Sequence, residues 1–344
     1  MPTIDFCRAE QLRCAANYED AGARLGMFDW VTEEYLMEQE NMKAPFPWFG
    51  GKSRVADIVW ERFGSVPNYV EPFFGSGAVL LARPHAPGTE TVNDLDCYLA
   101  NFWRAIKADS KATAQWADWP VNEADLLARH QWLVDQKDFR EDIRHDPAYC
   151  DFRIAGWWVW GICQWIGSGW CVERGNRHQP AKVPHLGDAG RGINRKLPHL
   201  GNAGRGEAIA TYFEKLSNRL RDVRVACGEW DRVLGESVTI KHGMTGVFLD
   251  PPYSAEEHSV TYSAHSDVAS KVVDWAIANG DKKDLRIAVC GYEGEHVFPD
   301  SWECFAWKAQ GGYGSQSSGN GRSNSGRERI WFSPACIRPQ QKLW

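Results

Sequence analysis

The segment Val247-Phe248-Leu249-Asp250-Pro251-Pro252-Tyr253 constrains the fold more than any other stretch of the chain. An apolar run halted by two prolines reads as a buried strand stopped at its carboxyl end, because proline has no N–H to give a ladder. In open α/β sheets ligands bind beyond the carboxyl ends of the strands, so Asp250 and Tyr253 are expected to face a crevice. Asp250 and the carbonyl of Pro251 offer fixed acceptors, the ring of Pro252 stiffens the turn, and Tyr253 offers a flat face for stacking. Two acceptors on the hydrogens of a planar exocyclic amine would localise its lone pair. The amine could then attack an electrophilic methyl group in line, with positioning and electrostatics rather than a strong base carrying the step. The competing reading is a plain structural stop, so the order of the other motifs has to decide.

Upstream, Trp48-Phe49-Gly50-Gly51-Lys52 is a glycine turn followed by a helical pattern through Val55, Ile58, Val59 and Phe63. The glycines permit close backbone approach, Trp48 can wall a pocket, and Lys52 can reach a carboxylate or phosphate. Tyr69-Val70-Glu71-Pro72-Phe73-Phe74-Gly75-Ser76-Gly77-Ala78-Val79 reads as strand, glycine turn and helix, with loop amides facing a ligand. The third glycine of the dinucleotide fingerprint is missing at the required spacing, so this turn alone says little. The next strand runs into Asn93-Asp94-Leu95-Asp96, which puts an acid where it can hold a ribose hydroxyl.

Taken in order, Trp-x-Gly-Gly-Lys, Glu-Pro-Phe-x-Gly-x-Gly, Asn-Asp-x-Asp, a long insert and Asp-Pro-Pro-Tyr resemble the alpha-group, Dam-like DNA adenine-N6 methyltransferases. The matched parts cover about residues 45–110 and 215–335. The resemblance implies an α/β fold: a Rossmann-like, S-adenosylmethionine-dependent methyltransferase sheet carrying an inserted DNA-recognition lobe. It implies Asp250, Pro251, Pro252 and Tyr253 as the acceptor motif. On the cofactor side it implies Trp48, Lys52, Glu71, Phe73, Gly75, Gly77, Asp94 and Asp250, joined by Glu229 and Trp230 where the family more often has Asp-Phe. Tyr262 falls where the family has a loop beside a flipped base. Gly311 to Arg329, rich in Gly and Ser and carrying Arg322 and Arg327, resembles the family's loop before the last strand. A flexible linker and a phosphate-touching loop are both open readings of that stretch.

Between about 111 and 214 the resemblance lapses, and charge and repetition become the guides. The chain carries a net charge of −6, which argues against indiscriminate polyanion binding, yet its charge is uneven. Residues 1–44 hold nine acids and four bases, whereas 171–206 hold seven Lys or Arg and two acids. The tail from Glu303 holds six bases and two acids, so any nucleic-acid face is expected on the two basic stretches. Five of the 18 tryptophans crowd into residues 157–170 and read mostly as core of a small lobe, one or two as DNA wedges. An eleven-residue unit beginning at Lys182 recurs at Lys196 with nine identities. It is either a duplication in a tolerant loop or a pair of basic fingers presenting Lys182, Arg191, Lys196 and Arg205 to DNA.

The expected organisation is therefore an acidic extension over 1–44, a catalytic domain from 45–110 and 215–344, and a recognition insert over 111–214. The ten cysteines contain no Cys-x-x-Cys pair, and Cys163, Cys171, His178, His185 and His199 match no common zinc spacing, so reduced thiols and no metal are expected. Neither a membrane span nor a secretory signal is expected, which points to the cytoplasm of a bacterial or phage-infected cell. The expected partner is adenine-containing duplex DNA, with no obligate protein partner and no membrane. Methylation of RNA adenine or of a protein amide, or an inactive DNA-binding relative, are the alternatives; Asp rather than Asn at position 250 weighs against the amide.

Overall fold

The computed structural model describes residues 42–48, 51–120, 122–146, 148–165, 170–171, 207–252, 262–307 and 326–339. In the helices that begin at 207 and 262, side chains are described from 209 and 268. Lys43–Trp344 forms one compact unit. Residues 1–41 of the expected acidic extension lie outside the described residues.

Among the described residues, one sheet contains β1 (Asn68–Glu71), β2 (Thr89–Asp94), β3 (Arg224–Cys227), β4 (Thr245–Leu249), β5 (Leu285–Tyr292), β6 (Glu303–Ala306) and β7 (Glu328–Phe332). Their spatial order is β3-β2-β1-β4-β5-β7-β6. The first five are mutually parallel, while β7 runs antiparallel to both β5 and β6. All residues of β1 and β4 are buried, as expected of central strands covered on both faces. This is the expected Rossmann-like, mostly parallel α/β sheet. From β1 the chain moves to β2 on one side, and it later returns to β4 on the other. That reversal opens a crevice at the carboxyl ends of β1 and β4. The Asn68 amide fixes the register below it by donating to Val238 O at 2.8 Å and to Thr245 Oγ1 at 2.9 Å.

The helices are α1 (Ala56–Phe63), α2 (Ala78–Leu81), α3 (Cys97–Ala108), α4 (Ser110–Ala117), α5 (Glu123–Asp135), α6 (Phe139–His145), α7 (Phe152–Ile162), α8 (Glu207–Leu220) and α9 (Tyr262–Asn279). Four of them start on an Asp or Asn whose side chain accepts a backbone N–H of the first turn: Asp96, Asp109, Asn122 and Asp151. On one face of the sheet, Val70, Val247, Leu249, Ile287 and Val289 pack with Val272 and Ala276 of α9. An aromatic group, Phe46, Phe102, Trp103 and Trp158, joins the segment before α1 to α3 and α7.

The first half of the insert is helical, α4 to α7. The expected boundary at 214/215 falls inside α8, a single helix that packs on α3 and α4. The crowded tryptophans of α7 divide between two faces. Trp158 turns toward Phe46 and Trp48. Trp157 and Trp160 turn away and flank guanidinium groups, with Arg129 4.2 Å from the Trp160 ring centre and Arg153 4.1 Å from that of Trp157. Such stacking helps a cation sit among aromatic rings, and for Arg129 the charge of Asp125 adds to it. Among the described residues no helix is long and apolar enough to cross a membrane.

Candidate active site

β4 delivers Asp250 to the crevice as the first residue past the strand, followed by a buried Pro251 and an exposed Pro252. Lys52, from the glycine turn before α1, places its ammonium 2.9 Å from Asp250 Oδ1. Burial opposes the positive charge of Lys52, but Asp250, with Cys290 and Glu328 behind it, more than reverses this and holds its pKa above the ordinary value. The Lys52 ammonium is therefore held in its charged form. A carboxylate has two oxygens and about four lone-pair sites, so this contact leaves acceptor capacity for an amine.

β1 ends beside it. Tyr69 and Glu71 point to the same side of the strand, and the Tyr69 hydroxyl donates to Glu71 Oε2 at 2.8 Å. Burial drives the Glu71 pKa well above the usual carboxylate range; Tyr69 opposes the shift, and Asp250 and Asp94 add to it. Burial thus favours the protonated form of Glu71, which can donate as well as accept.

Next come Gly75 and Gly77, both in the left-handed region at φ 49° and 70°. A Cβ on Gly75 would lie 2.6 Å from Nε1 of Trp48, so the indole rests directly on the turn. The loop differs from expectation in one respect. The amides of Phe74, Gly75 and Gly77 donate to Asn93 O, Asp94 Oδ2 and Phe74 O, at 2.9, 3.0 and 2.9 Å, rather than facing a ligand. The end of β2 supplies two of these acceptors and the loop itself the third, so this loop offers a shape more than a set of donors.

Asp94 also accepts from Asp96 N at 3.0 Å. Burial pushes its pKa up to about 6, against the pull of the Asp96 and Gly75 amides. Across from it Phe73 and Trp230 stack at 6.1 Å with 22° between their planes, making a flat apolar wall; the neighbouring Glu229 is exposed. The described candidates Trp48, Lys52, Glu71, Phe73, Gly75, Gly77, Asp94, Trp230 and Asp250 thus converge on the carboxyl edge of β1, β2, β3 and β4. Arg327 stands at the start of β7, with its guanidinium 5.6 Å from the Tyr292 ring centre and donating to Glu293 O. Tyr253, Lys182, Arg191, Lys196, Arg205 and Arg322 lie outside the described residues, as does the side chain of Tyr262.

Three residues of the site escaped the sequence reading. Asn93 is buried and donates to Pro72 O at 3.0 Å and Gly228 O at 2.9 Å, tying together the loops that follow β1 and β3. It stood in a quoted motif, but only the tertiary structure brings residues 72 and 228 to it. Trp103 of α3 donates to Gly75 O at 3.2 Å, and nothing in its local sequence signals that. Tyr69 was visible only as a strand residue; an acid two positions away on a strand was the available signal.

The residues present fit an adenosine-bearing cofactor. The Phe73–Trp230 wall suits a purine, Asp94 retains lone pairs for ribose hydroxyls, and the Asn93 Oδ1 atom is buried without a hydrogen-bond partner. Residues 48–147 match the family model described as D12 class N6 adenine-specific DNA methyltransferase. The chain is also 22% identical over 236 residues to the Type II methyltransferase M.MjaIII of Methanocaldococcus jannaschii, covering 64% of this chain and 72% of that protein.

Proposed function

We propose, from the premise that this chain belongs to the adenine-N6 DNA methyltransferase family, that it transfers a methyl group from S-adenosylmethionine to N6 of a flipped adenine in DNA. The observation that carries this reading is the Lys52–Asp250 pair at the switch point of the sheet, 2.9 Å long and flanked by the Gly75–Gly77 loop. S-adenosylmethionine, when bound, supplies an electrophilic methyl on a positively charged sulfur. Asp94 would hold its ribose, Phe73 and Trp230 its purine, and Glu71 its amino-acid end, with Trp48 closing the glycine loop.

Lys52 anchors one oxygen of Asp250, so the carboxylate can accept an N6 hydrogen without rotating away. The Pro251 carbonyl takes the second hydrogen, and the proline rings on either side keep it from turning. With both hydrogens engaged, the lone pair of the amine is freed from the ring, and the acceptors already in place need no reorganisation. A paired adenine hides N6 in the duplex, so the base must leave the stack at a cost of about a few kcal/mol. Tyr253 is assigned to stack on the extruded base, with Tyr262 beside it.

DNA contact is assigned to the insert over 111–214, through Lys182, Arg191, Lys196 and Arg205, and to Arg322 and Arg327 near the last strand. The catalytic domain is assigned to 45–110 and 215–344. Incubation with labelled S-adenosylmethionine and unmethylated DNA, followed by nucleoside analysis, is expected to yield N6-methyladenine. Asp250→Ala should lose at least about 10²-fold in turnover while still binding cofactor. Label in RNA or protein but not in DNA, or wild-type turnover in Asp250→Ala, would overturn the reading.

A further inference from the structure

The end of β3 and the start of α3 carry two thiols that the reaction as described does not use. The Cys227 thiol donates to the Cys97 sulfur at 3.9 Å, and the Cys97 thiol in turn lies 4.0 Å from the carbonyl oxygen of Arg140. Cys97 is buried in the first turn of α3, while Cys227 is half-buried on β3. Each is attached to a part of the cofactor site. Cys227 is the partner of Asp94 in the β2–β3 ladder, and it leads into Gly228 and Trp230. Gly228 N donates to Asp94 O at 3.1 Å, and Asn93 Nδ2 donates to Gly228 O at 2.9 Å. Cys97 follows Asp96, whose amide donates to Asp94 Oδ1 at 3.0 Å.

The two sulfurs are chemically uneven. The hydrogen bond from Cys227, with the charges of Arg144 and Arg140, holds the Cys97 thiol down to about 7 against burial and Asp96; the same bond pushes Cys227 up. Cys97 is therefore the sulfur that loses its proton first, and the thiolate is the nucleophilic form. A disulfide needs its sulfurs about 2 Å apart, so the pair has to close by about 2 Å more than it already has. Among the described residues β3 is the end strand of the sheet, paired with β2 alone and exposed at Arg224, so it is the element placed to yield.

Resting on the proposed function, we propose that Cys97 and Cys227 form an oxidisable pair through which a peroxide lowers affinity for the cofactor. The Cys97 thiolate attacks one peroxide oxygen: the S–O bond forms, the O–O bond breaks, and hydroxide leaves to become water. The sulfur is oxidised to a sulfenic acid as the peroxide is reduced. The Cys227 sulfur then attacks the Cys97 sulfur: the S–S bond forms, the S–O bond breaks, and the departing hydroxide takes the Cys227 proton. Two thiols and one hydrogen peroxide thus give one disulfide and two waters. Closing the pair draws Cys227 toward α3, and Gly228 and Trp230 follow. Hydrogen bonds of about 3 Å do not survive a shift of that size, so Gly228 leaves Asp94 and Asn93, and Trp230 turns off the Phe73 wall.

The test uses the full chain. Treatment with hydrogen peroxide, alkylation of the remaining thiols and peptide mapping without reductant should yield Cys97 and Cys227 in one linked pair of peptides. Calorimetric titration with S-adenosylhomocysteine should then show affinity lowered about fivefold or more, the scale of one lost hydrogen bond, with recovery after dithiothreitol. Cys97→Ser and Cys227→Ser should each bind within about twofold of the reduced wild type and show no response to peroxide. If neither serine variant folds, the linked peptides and the recovery on reduction decide the matter in the wild type. Oxidation of Cys97 to a sulfinic acid without a link to Cys227, linkage of other cysteines in its place, or a linked pair with unchanged affinity overturns the inference alone. Reduced wild-type protein that does not bind the ligand overturns the proposed function and this inference with it.

Discussion

Asp94 is the residue whose ionisation should be easiest to see. Its pKa is pushed up to about 6 by burial, above the value near 3.8 of an exposed carboxyl. A group bound more tightly by its proton in the folded state stabilises that state below its unfolded pKa. The contribution is lost as pH rises from about 4 through about 6. The functional consequence has the opposite sense, because the ionised carboxylate is the better acceptor for ribose hydroxyls. Affinity for S-adenosylhomocysteine should hold constant above pH 7 and decline as pH falls through about 6, and Asp94→Asn should remove the step. Calorimetry between pH 5 and about 8 checks both statements. The position of Asp94 at the end of a strand was legible in the Asn-Asp-x-Asp motif. Its pKa was not, since it depends on burial and on amides from residues 75 and 96.

At the level of elements, two glycines hold parts together by what they lack. Gly75 has φ 49°, and a Cβ there would meet the Trp48 indole at 2.6 Å. Gly75→Ala should therefore strain the loop and displace Trp48, lowering cofactor affinity by about tenfold or more, with a cost of about 1–3 kcal/mol in stability. Gly156 lets α7 cross α4 closely, because an added Cβ would lie 2.8 Å from the backbone carbon of Trp116 and 2.9 Å from Ala117 N. Backbone cannot swing aside as a side chain can. Gly156→Ala should destabilise the chain by at least about 1–3 kcal/mol in a urea titration, with a smaller effect on cofactor affinity than Gly75→Ala. The first glycine announced itself in a motif. The second sits among tryptophans whose sequence reading was core or wedge, and helix packing alone explains why no side chain fits.

On the scale of the whole molecule, the return of the chain from its insert is secured by charge. Glu90 of β2, 2% exposed, accepts from Arg83 Nη1 at 3.0 Å and from Arg219 Nη1 and Nη2 at 2.7 and 2.9 Å. Arg219 lies on α8, the helix in which the expected insert boundary falls, so this cluster fastens that helix to the sheet beside the Gly75–Gly77 loop. Its Nη2 also donates to Leu80 O of α2 at 3.1 Å. Removing the anion would leave two guanidinium groups without their compensating charge. Glu90→Gln should cost about 3–5 kcal/mol, read as a lowered denaturation midpoint. Residues 83, 90 and 219 carry no motif, and their sequence separations hide the cluster completely.

The strands β1, β2 and β4, the buried character of β1 and β4 and the acid at the end of each of β2 and β4 were already written in the order of residues. Strand stops, glycine turns and caps are local physics: a missing N–H, a positive φ, a side chain reaching the next turn. The motifs likewise named Lys52, Gly75, Gly77, Asp94 and Asp250 as parts of one site. Distance in the chain concealed the rest. That Lys52 would pair with Asp250 at 2.9 Å and that Asn93 would bind the loops after β1 and β3 follow only from the strand order β3-β2-β1-β4-β5-β7-β6. Hydrogen bonds and charges act over a few ångströms regardless of sequence separation, and only the assembled sheet decides which groups come that close.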